Sequence, residues 1–345
     1  MQDEKSIDIV YLWVDGNDPV WRAKRDLAVA KLSLDQRHAM ALYGNVEGRF
    51  RDNDELRYNL RALERFFPSH GHIYIVTDAQ TPAWLRPSNG LTLIDHRELM
   101  PPASLPTFDS SHIESYIHRI PGLSAQYFYL NDDVFFGAPV ALSDWFLDSG
   151  IYVAWSDEPV VTDEPLREDA LSLENACRLS SQWFRAAAHQ PGLADYQHTF
   201  RTFAHSPRPM HKAVLFELEQ RAPSLFERVR STVFRTWDKP TIISDFVMRW
   251  ALAQGLAKTR HYSSRYLSTG EADQAVQLDD LMAALGTLDF FCLNDTTDDA
   301  HAQDPRLIQV RAALQAMFSQ ASRFEQLPDS DASAQSRLSD TVAQP

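Results

Sequence analysis

The chain has 345 residues, of which 44% are hydrophobic and 11% aromatic, so it can bury a sizeable core. Its 33 basic and 47 acidic side chains leave a net charge of −14, which argues against a nucleic-acid partner. Cys177 and Cys292 match neither a disulfide framework nor a zinc spacing, which indicates a reducing compartment. The charged N-terminus lacks the apolar core of a signal peptide, and no apolar run approaches the ~20 residues of a membrane span. We therefore expect a soluble, cytoplasmic protein, with peripheral association at the inner face of the membrane left open.

Four short apolar runs in the first half of the chain are typical of buried strands, because they are rich in β-branched and aromatic residues. Each run is followed by aspartate. Aspartate often caps the next helix, which would explain one or two of these positions, whereas four indicate a polar rim along one sheet edge. The predicted strands are Ile7–Val14, His72–Thr77, Leu91–Ile94 and Tyr127–Leu130, and the acidic residues that follow them are Asp15, Asp78, Asp95 and the pair Asp132 and Asp133.

Helical patterns separate these strands. Leu56, Leu60 and Leu63 recur at helical spacing behind a candidate N-cap at Asp52 or Asn53. Strands that alternate with helices predict an α/β fold, with a mostly parallel sheet, helices on both faces and a more helical second half. Further helices are predicted over Val20–Tyr43, Ser110–Ile120, Ala176–Ala188, Met210–Arg221, Pro240–Gln254 and Pro305–Phe318, with one more strand at Leu288–Leu293.

Paired carboxylates end the fourth predicted strand, in the stretch Asn131-Asp132-Asp133. Open α/β sheets bind ligands outside the carboxyl ends of their strands, so these side chains are expected to point into a site. Two carboxylates there suit a hard divalent cation, Mg²⁺ or Mn²⁺, that holds phosphate oxygens. The alternative is an Asn/Asp turn with solvated side chains.

Phosphate binding would need positive groups, because the sequence has neither a Gly-rich dinucleotide fingerprint nor a phosphate loop. The candidates are Arg235, Arg49 and Arg51. His211, at the start of a predicted helix, could act as a base or nucleophile near neutral pH, although a histidine in this setting is more often a cap or surface residue.

Four blocks of the sequence resemble, in order, the four signature regions of the stealth family. They are IDIVYLWVDGNDPVW (7–21), the long segment 49–137 from RFRDNDELRYNLRALERFFP to LNDDVFFG, HSPRPMHKAVLFELE (205–219) and FCLND (291–295). Stealth proteins are hexose-1-phosphoryltransferases that include bacterial capsular polysaccharide phosphotransferases. They also resemble the catalytic core of the animal enzyme that adds N-acetylglucosamine 1-phosphate to lysosomal glycoproteins. The resemblance implies a Rossmann-type, glycosyltransferase-A-like fold.

The resemblance also implies a reaction. A hexose 1-phosphate, typically from a UDP-N-acetylhexosamine, would be transferred to a hydroxyl of an acceptor glycan, with Mg²⁺ or Mn²⁺ and release of UMP. It further implies one catalytic domain over residues 1–325, with a nucleotide-sugar half at 1–145 and an acceptor-side half at 146–325. The remainder, 326–345, is polar and predicted to be disordered. The alternatives are a sugar transferase of the same fold that releases UDP, and a catalytically silent sugar-nucleotide-binding protein.

By motif, the resemblance assigns the acidic pair of the family to Glu114 and Asp133. Its histidine matches His211, with His205 as the alternative because the spacing HSPRPMH departs from the family form. Its phosphate-binding arginine matches Arg235. The predicted substrate-binding residues are Trp13, Asp15, Gly16, Arg49, Asn131, Asn294 and Asp295, and the predicted metal ligands are Asp132 and Asp133.

Overall fold

The computed structural model describes Ser6 to Gln326, so all but one residue of the tail predicted to be disordered lies outside the described residues. Within this range no helix is long and apolar enough to cross a membrane. The strands are β1 (Asp8–Leu12), β2 (Ile73–Thr77), β3 (Leu91–Asp95), β4 (Gln126–Asn131), β5 (Val134–Phe136), β6 (Phe146–Leu147), β7 (Gly150–Val153), β8 (Arg208–His211), β9 (Ala257–Thr259), β10 (Ser264–Ser268) and β11 (Phe290–Asn294). The α-helices are α1 (Pro19–Lys31), α2 (Leu34–His38), α3 (Glu55–Phe66), α4 (His96–Leu99), α5 (Ser110–Glu114), α6 (Ser172–Ala186), α7 (Lys212–Arg221), α8 (Pro223–Val229), α9 (Val247–Ala253), α10 (Gln274–Ala284) and α11 (Pro305–Met317).

The main sheet has five strands in the order β3-β2-β1-β4-β8. The first four are parallel, and β8 joins the β4 edge in the antiparallel direction. The chain runs outward from β1 to β3 and then returns to place β4 on the other side of β1. The carboxyl ends of β1 and β4 therefore lie side by side, which is where such sheets bind ligands.

Apolar side chains cover both faces of this sheet. On one face, Ile9 and Tyr11 pack in a core with Leu60 of α3. On the other face, Val10 packs in a second core that includes Trp250 of α9. Burial on both sides explains why the strands are continuously apolar. The predicted α/β class, with a mostly parallel sheet, is confirmed.

A second, three-stranded sheet has the order β10-β11-β5. Strand β11 runs antiparallel to β5, with Cys292 opposite Val134, and Leu293 N donates to Asp133 O at 3.0 Å. This pairing carries residues 290–295 to the turn that follows β4. Residues distant in sequence thus meet at the end of the main sheet.

The predicted helix over 20–43 is wrong in extent, because it is two helices. Helix α1 ends at Lys31, where Leu32 takes an extended backbone conformation. Ser33 then starts α2 with a capping box to Gln36. The capping box at Ser33 is a strong helix-start signal inside an apolar pattern, and it divides the predicted segment into two helices.

The helix predicted from Met210 begins two residues later, at Lys212. Met210 and His211 belong to β8, where they pair with Tyr127 and Gln126 of β4. An edge strand of four residues is too short for periodicity to reveal, and its tertiary pairing decides the conformation.

Two further helices differ from expectation in detail. Helix α5 stops at Glu114 and is followed by a 3₁₀ turn at Ile117–Arg119, so the predicted helix over 110–120 is interrupted. The expected helix over 240–254 opens as a π-helix at Ile242–Phe246 before α9. Both departures lie at segments that reach the cavity described below.

Candidate active site

A cavity of about 1030 Å³ opens at the carboxyl ends of β1 and β4. Leu12 and Asn131 pair where these two strands end. The cavity therefore lies where the strand order reverses, as expected for a ligand site in this fold class. The predicted site residues that line it are Trp13, Arg49, Glu114, Asn131, Asp132, Asp133, Arg235, Asn294 and Asp295.

Of the two candidate histidines, the structure brings His205 into the cavity. Its Nε2 lies 2.8 Å from the side-chain amide nitrogen of Asn131. His211 ends β8 opposite Gln126, and its Nε2 lies 3.3 Å from the carbonyl oxygen of Gly150, away from the cavity lining. The order of residues in HSPRPMH could not distinguish the two, because the β8 pairing decides which one faces the site.

Asp15 and Gly16 lie behind the cavity wall. The Asp15 carboxylate accepts a hydrogen bond from Asn17 N at 2.8 Å, which shapes the turn after β1. Gly16 N donates to Phe50 O at 2.6 Å, and a Cβ at Gly16 would lie 2.4 Å from that oxygen. Because Gly16 has no side chain, this turn can pack directly against the segment that carries Arg49.

Gly48 holds the same segment from its other side. Gly48 N donates to Thr297 O at 2.8 Å, and a Cβ at Gly48 would lie 2.5 Å from Asp295 Oδ1. The Asp295 carboxylate also accepts hydrogen bonds from Arg51 and, at 2.9 Å, from Thr297 N. The Asp295–Arg51 contact therefore holds the segment that carries Arg49 against the loop after β11. Arg49 lies between Gly48 and Phe50, and the backbone of each is held by a hydrogen bond.

Among the described residues, seven arginines line the cavity, including Arg49, Arg208 and Arg235. Burial, together with repulsion from Arg235, lowers the pKa of Arg49 to about 9. Arg49 Nε is buried without a hydrogen-bond partner among residues 6–326. Burial also lowers the pKa of Arg208, which the sequence analysis did not single out because it did not predict the strand β8. This concentration of positive charge would bind an anion with two or more phosphates.

Asp109 orients Arg235 and was missed by the sequence analysis. It caps α5 by accepting from Ser111 N at 3.0 Å, and Lys239 Nζ donates to it. Arg235 Nε lies 4.0 Å from the same carboxylate, and its Nη2 donates to Ser110 Oγ at 2.7 Å. Although burial opposes ionisation, the charges of Lys239 and Arg235 lower the pKa of Asp109 to about 2. Arg235 is thus held by fixed partners, with its guanidinium at the cavity.

A series of close polar contacts connects Glu114 to His205, and the single hydroxyl hydrogen of Tyr129 can be donated either to Glu114 or to Asn131 Oδ1. The hydroxyl of Tyr129 lies 2.9 Å from Glu114 Oε1 and 2.7 Å from Asn131 Oδ1, and Asn131 Nδ2 lies 2.8 Å from His205 Nε2. Glu114 Oε2 is buried without a hydrogen-bond partner in the described part of the chain. Burial raises the pKa of Glu114 above its ordinary value, while the Tyr129 hydrogen bond and the charge of Arg235 oppose the rise. A carboxylate in this setting can accept a proton near neutral pH.

The acidic side of the cavity fits a divalent cation. Burial and repulsion from Asp133 and Asp52 raise the pKa of Asp132 well above its ordinary value. Burial and repulsion from Asp52 and Asp132 likewise raise the pKa of Glu55 well above its ordinary value. Asp133 Oδ1 is buried with no hydrogen-bond partner among the described residues. A cation on Asp132 and Asp133 would satisfy this oxygen and relieve the repulsion.

Comparison with known families places two conserved regions on the chain. Conserved region 1 of the stealth proteins matches residues 5–33, and conserved region 2 matches residues 49–153. These regions contain Trp13, Arg49, Glu114, Asp132 and Asp133. They also contain α3 and the four parallel strands of the main sheet.

Curated relatives extend the likeness over most of the chain. An exopolysaccharide phosphotransferase of Streptomyces coelicolor is 34% identical over 92% of this chain and 33% of its own length. A second one from that organism is 34% identical over 92% of this chain and 52% of its own length. The protein CpsY of Mycobacterium leprae, also named an exopolysaccharide phosphotransferase, is 31% identical over 98% of this chain and 60% of its own length. This chain thus spans between one third and three fifths of these relatives.

Among solved structures, galactosyltransferase LgtC is 9% identical with a TM-score of 0.43, and the match covers 95% of this chain and 99% of that one. Mouse xyloside xylosyltransferase 1 is 12% identical with a TM-score of 0.38, over 83% of this chain and 97% of that one. The chain therefore carries conserved regions 1 and 2 of the stealth proteins and is similar over most of its length to curated exopolysaccharide phosphotransferases.

Proposed function

We propose that this chain transfers a hexose 1-phosphate from a UDP-sugar to a hydroxyl of an acceptor glycan. The product is a phosphodiester, and UMP is released. One observation carries the proposal: a single cavity combines several arginines, among them Arg49, Arg208 and Arg235, with Glu114, His205 and the carboxylates of Asp132 and Asp133. The names of the curated relatives, exopolysaccharide phosphotransferases, support phosphoryl transfer and a polysaccharide acceptor.

The arginines bind the diphosphate of the donor. Phosphoryl transfer depends mainly on positioning and on neutralising the non-bridging oxygens. Arg235, fixed by Asp109 and Ser110, binds the transferred phosphate, and Arg49 binds the second phosphate. The pKa of Arg49, lowered by burial and by Arg235, returns toward its ordinary value when an anion enters.

Glu114 removes the proton of the acceptor hydroxyl. The acceptor oxygen then forms its bond to the phosphorus of the hexose 1-phosphate while the bond to the UMP oxygen breaks. Tyr129 holds the Glu114 carboxylate in place through its hydroxyl. His205, in place of His211, is the histidine of the site, and burial lowers its pKa so that it is neutral.

Two courses of the reaction differ in stereochemistry. Direct transfer to the acceptor inverts the configuration at phosphorus. A covalent phosphohistidine on His205, formed and then attacked by the acceptor, gives net retention. A chirally labelled donor analogue distinguishes these courses.

The divalent cation belongs to the acidic side of the cavity. Asp132 and Asp133 would hold Mg²⁺ or Mn²⁺, which supplies charge neutralisation to the diphosphate oxygens when bound. We propose UDP-N-acetylhexosamine as the donor. We also propose a cytoplasmic site of action, which the free thiols of Cys177 and Cys292 support.

The test is incubation with UDP-N-acetylglucosamine, divalent metal and a panel of glycan acceptors. Chromatography identifies the released nucleotide, and phosphorus NMR identifies the product. UMP with a phosphodiester in the product is expected. UDP with a phosphorus-free product would overturn the proposal in favour of simple sugar transfer, and metal-dependent binding without turnover across the panel would indicate a silent binding protein.

A further inference from the structure

Three metal-binding side chains converge at the floor of the cavity: Asp133, His205 and Cys292. Asp133 lies in the turn after β4, His205 in the loop before β8, and Cys292 in the middle of β11. One potential ligand atom of each lies within 4.8 Å of the other two. The cysteine count predicted no zinc site from sequence spacing, and this cluster has no local spacing to detect because its members are about 70 and 90 residues apart.

The distances match a metal polyhedron. Cys292 Sγ lies 3.5 Å from Asp133 Oδ2 and 3.5 Å from His205 Nδ1. With zinc–sulfur bonds of about 2.3 Å and zinc–nitrogen or zinc–oxygen bonds of about 2.0–2.1 Å, tetrahedral angles separate such ligands by roughly 3.5 Å. An ion therefore fits among these atoms with little movement of the side chains.

The surroundings of the cluster also suit a metal. Asp133 and His205 line the cavity, whereas Cys292 is buried beneath them, so an ion has a path from solvent. The second ring nitrogen of His205 lies 2.8 Å from the Asn131 side-chain amide, and a metal on Nδ1 would require this amide to turn its oxygen toward the Nε2–H, as an acceptor that orients the histidine ligand. Three protein ligands leave a fourth position open toward the cavity, as in catalytic zinc sites.

We propose that Asp133, His205 and Cys292 form a site for a divalent transition metal, with Zn²⁺ as the physiological candidate. Thiolate and imidazole favour such metals over Mg²⁺, which prefers oxygen ligands. The metal binds the Cys292 sulfur as thiolate, and the thiol proton passes to solvent. This site shares Asp133 with the proposed Mg²⁺ or Mn²⁺ site but differs from it in every other ligand.

A regulatory consequence follows, and it rests on the proposed function. A metal on Asp133 and His205 removes both side chains from their roles in the transfer reaction. Zn²⁺ therefore inhibits sugar-phosphate transfer even when Mg²⁺ is present. Removal of Zn²⁺ by a selective chelator restores the rate.

The test of the site uses Co²⁺ as a spectroscopic probe, so it does not depend on activity. Metal-free protein titrated with Co²⁺ is expected to show a thiolate-to-cobalt charge-transfer band and intense visible bands of tetrahedral geometry. Cys292→Ser removes the charge-transfer band and weakens Zn²⁺ binding at least about 10-fold, as judged by competition with a chromophoric chelator. Circular dichroism checks that each variant is folded.

Cys177→Ser is the matched control. Cys177 is also buried and also faces a histidine, with Sγ 3.4 Å from His198 Nε2, but no third metal-binding side chain joins this pair among the described residues. This variant retains the cobalt spectrum. A spectrum without the charge-transfer band, or one that Cys292→Ser leaves intact, overturns the site.

The failure of the site and the failure of the proposed function are distinguishable. The cobalt spectrum reports the site whether or not any donor is turned over. If the spectrum is as expected but Zn²⁺ leaves the Mg²⁺-dependent transfer rate unchanged, the regulatory consequence is overturned and the site stands. Absence of transfer with every donor and acceptor overturns the function instead.

Discussion

The hydroxyl of Tyr129 lies 2.9 Å from the Glu114 carboxylate, and both residues are buried. Tyr129 comes from β4, an interior strand of the main sheet, whereas Glu114 ends the short helix α5. Burial raises the pKa of Glu114, and the hydrogen bond from Tyr129 lowers it. One hydroxyl therefore both positions the proposed base and limits the rise in its pKa.

We expect Tyr129→Phe to lower kcat at neutral pH by about 10-fold, since leaving a buried polar group unsatisfied costs about 1–3 kcal/mol. Glu114 must be ionised to accept a proton. Its pKa rises further without the hydrogen bond, so the acidic limb of the kcat profile moves to higher pH. The pH dependence of kcat in wild type and variant measures this shift.

Tyr127→Phe is the control for this variant. Tyr127 lies two residues earlier on β4, and its buried hydroxyl has no hydrogen-bond partner among residues 6–326. Its pH profile should match that of the wild type. An unshifted acidic limb in Tyr129→Phe would remove Glu114 from the role of base.

The two histidines of the third sequence block give a second prediction. His205→Ala should lower kcat by at least about 100-fold, in the range lost with an acid–base group. His211→Ala should change kcat by less than about 10-fold, because His211 lies outside the cavity lining. Steady-state rates of both variants, after a thermal melt shows that each is folded, test the assignment. Loss of turnover in His211→Ala alone would reverse it.

A third prediction concerns phosphate binding. Arg235→Ala should raise the KM for the nucleotide sugar by roughly 10- to 100-fold, because a hydrogen bond to a charged group contributes about 1.5–3 kcal/mol. Arg97→Ala removes an exposed guanidinium that pairs with Asp95 outside the cavity, and should leave KM unchanged. Isothermal titration with UDP gives the same comparison without turnover. Equal affinity of Arg235→Ala and wild type for UDP would contradict the assignment.

The sequence was most informative where the chemistry depends on neighbours in the chain. The apolar runs identified the four parallel strands, and the acidic residues that follow β4 do reach a cavity. Asp95, by contrast, caps α4, as the simpler interpretation of an aspartate in such a turn proposed.

The sequence was less informative where pairing between residues distant in the chain determines which side chains reach the cavity. The antiparallel pairing of β8 with β4 determines that Arg208 and His205 reach the cavity and that His211 does not. Asp109 supports Arg235 from a position 126 residues earlier in the chain, which no local pattern can indicate. The pairing of β11 with β5 likewise brings Cys292 to Asp133.

A fourth prediction tests the placement of Arg49. Gly48→Ala would put a Cβ 2.5 Å from Asp295 Oδ1 and 2.8 Å from Thr297 N, so the segment must shift at a cost of about 1–3 kcal/mol. We expect a lower melting temperature and weaker UDP binding. Gly90→Ala is the control, because the nearest atom to its Cβ would be 3.7 Å away. Normal UDP affinity in Gly48→Ala would show that Arg49 does not need this loop.

The last prediction concerns Asp109, which is buried between Lys239 and Arg235. Asp109→Asn leaves both cations without their carboxylate and should lower the free energy of unfolding at neutral pH by about 3–5 kcal/mol. Asp26→Asn, at an exposed position of α1, should lower it far less. Urea unfolding of the three proteins measures the difference.

The dependence of this difference on pH follows from the pKa of Asp109, which is about 2 in the folded chain, below its ordinary value. A depressed carboxyl pKa contributes stability that is fully present above the unfolded pKa of about 3.9 and is lost as pH falls toward the folded pKa. The gap between wild type and Asp109→Asn should therefore be constant from neutral pH down to about pH 4 and shrink below that value. A gap that stayed constant through this acidic range would mean that Asp109 stabilises the fold through packing, and that its charge does not hold Lys239 and Arg235 in place.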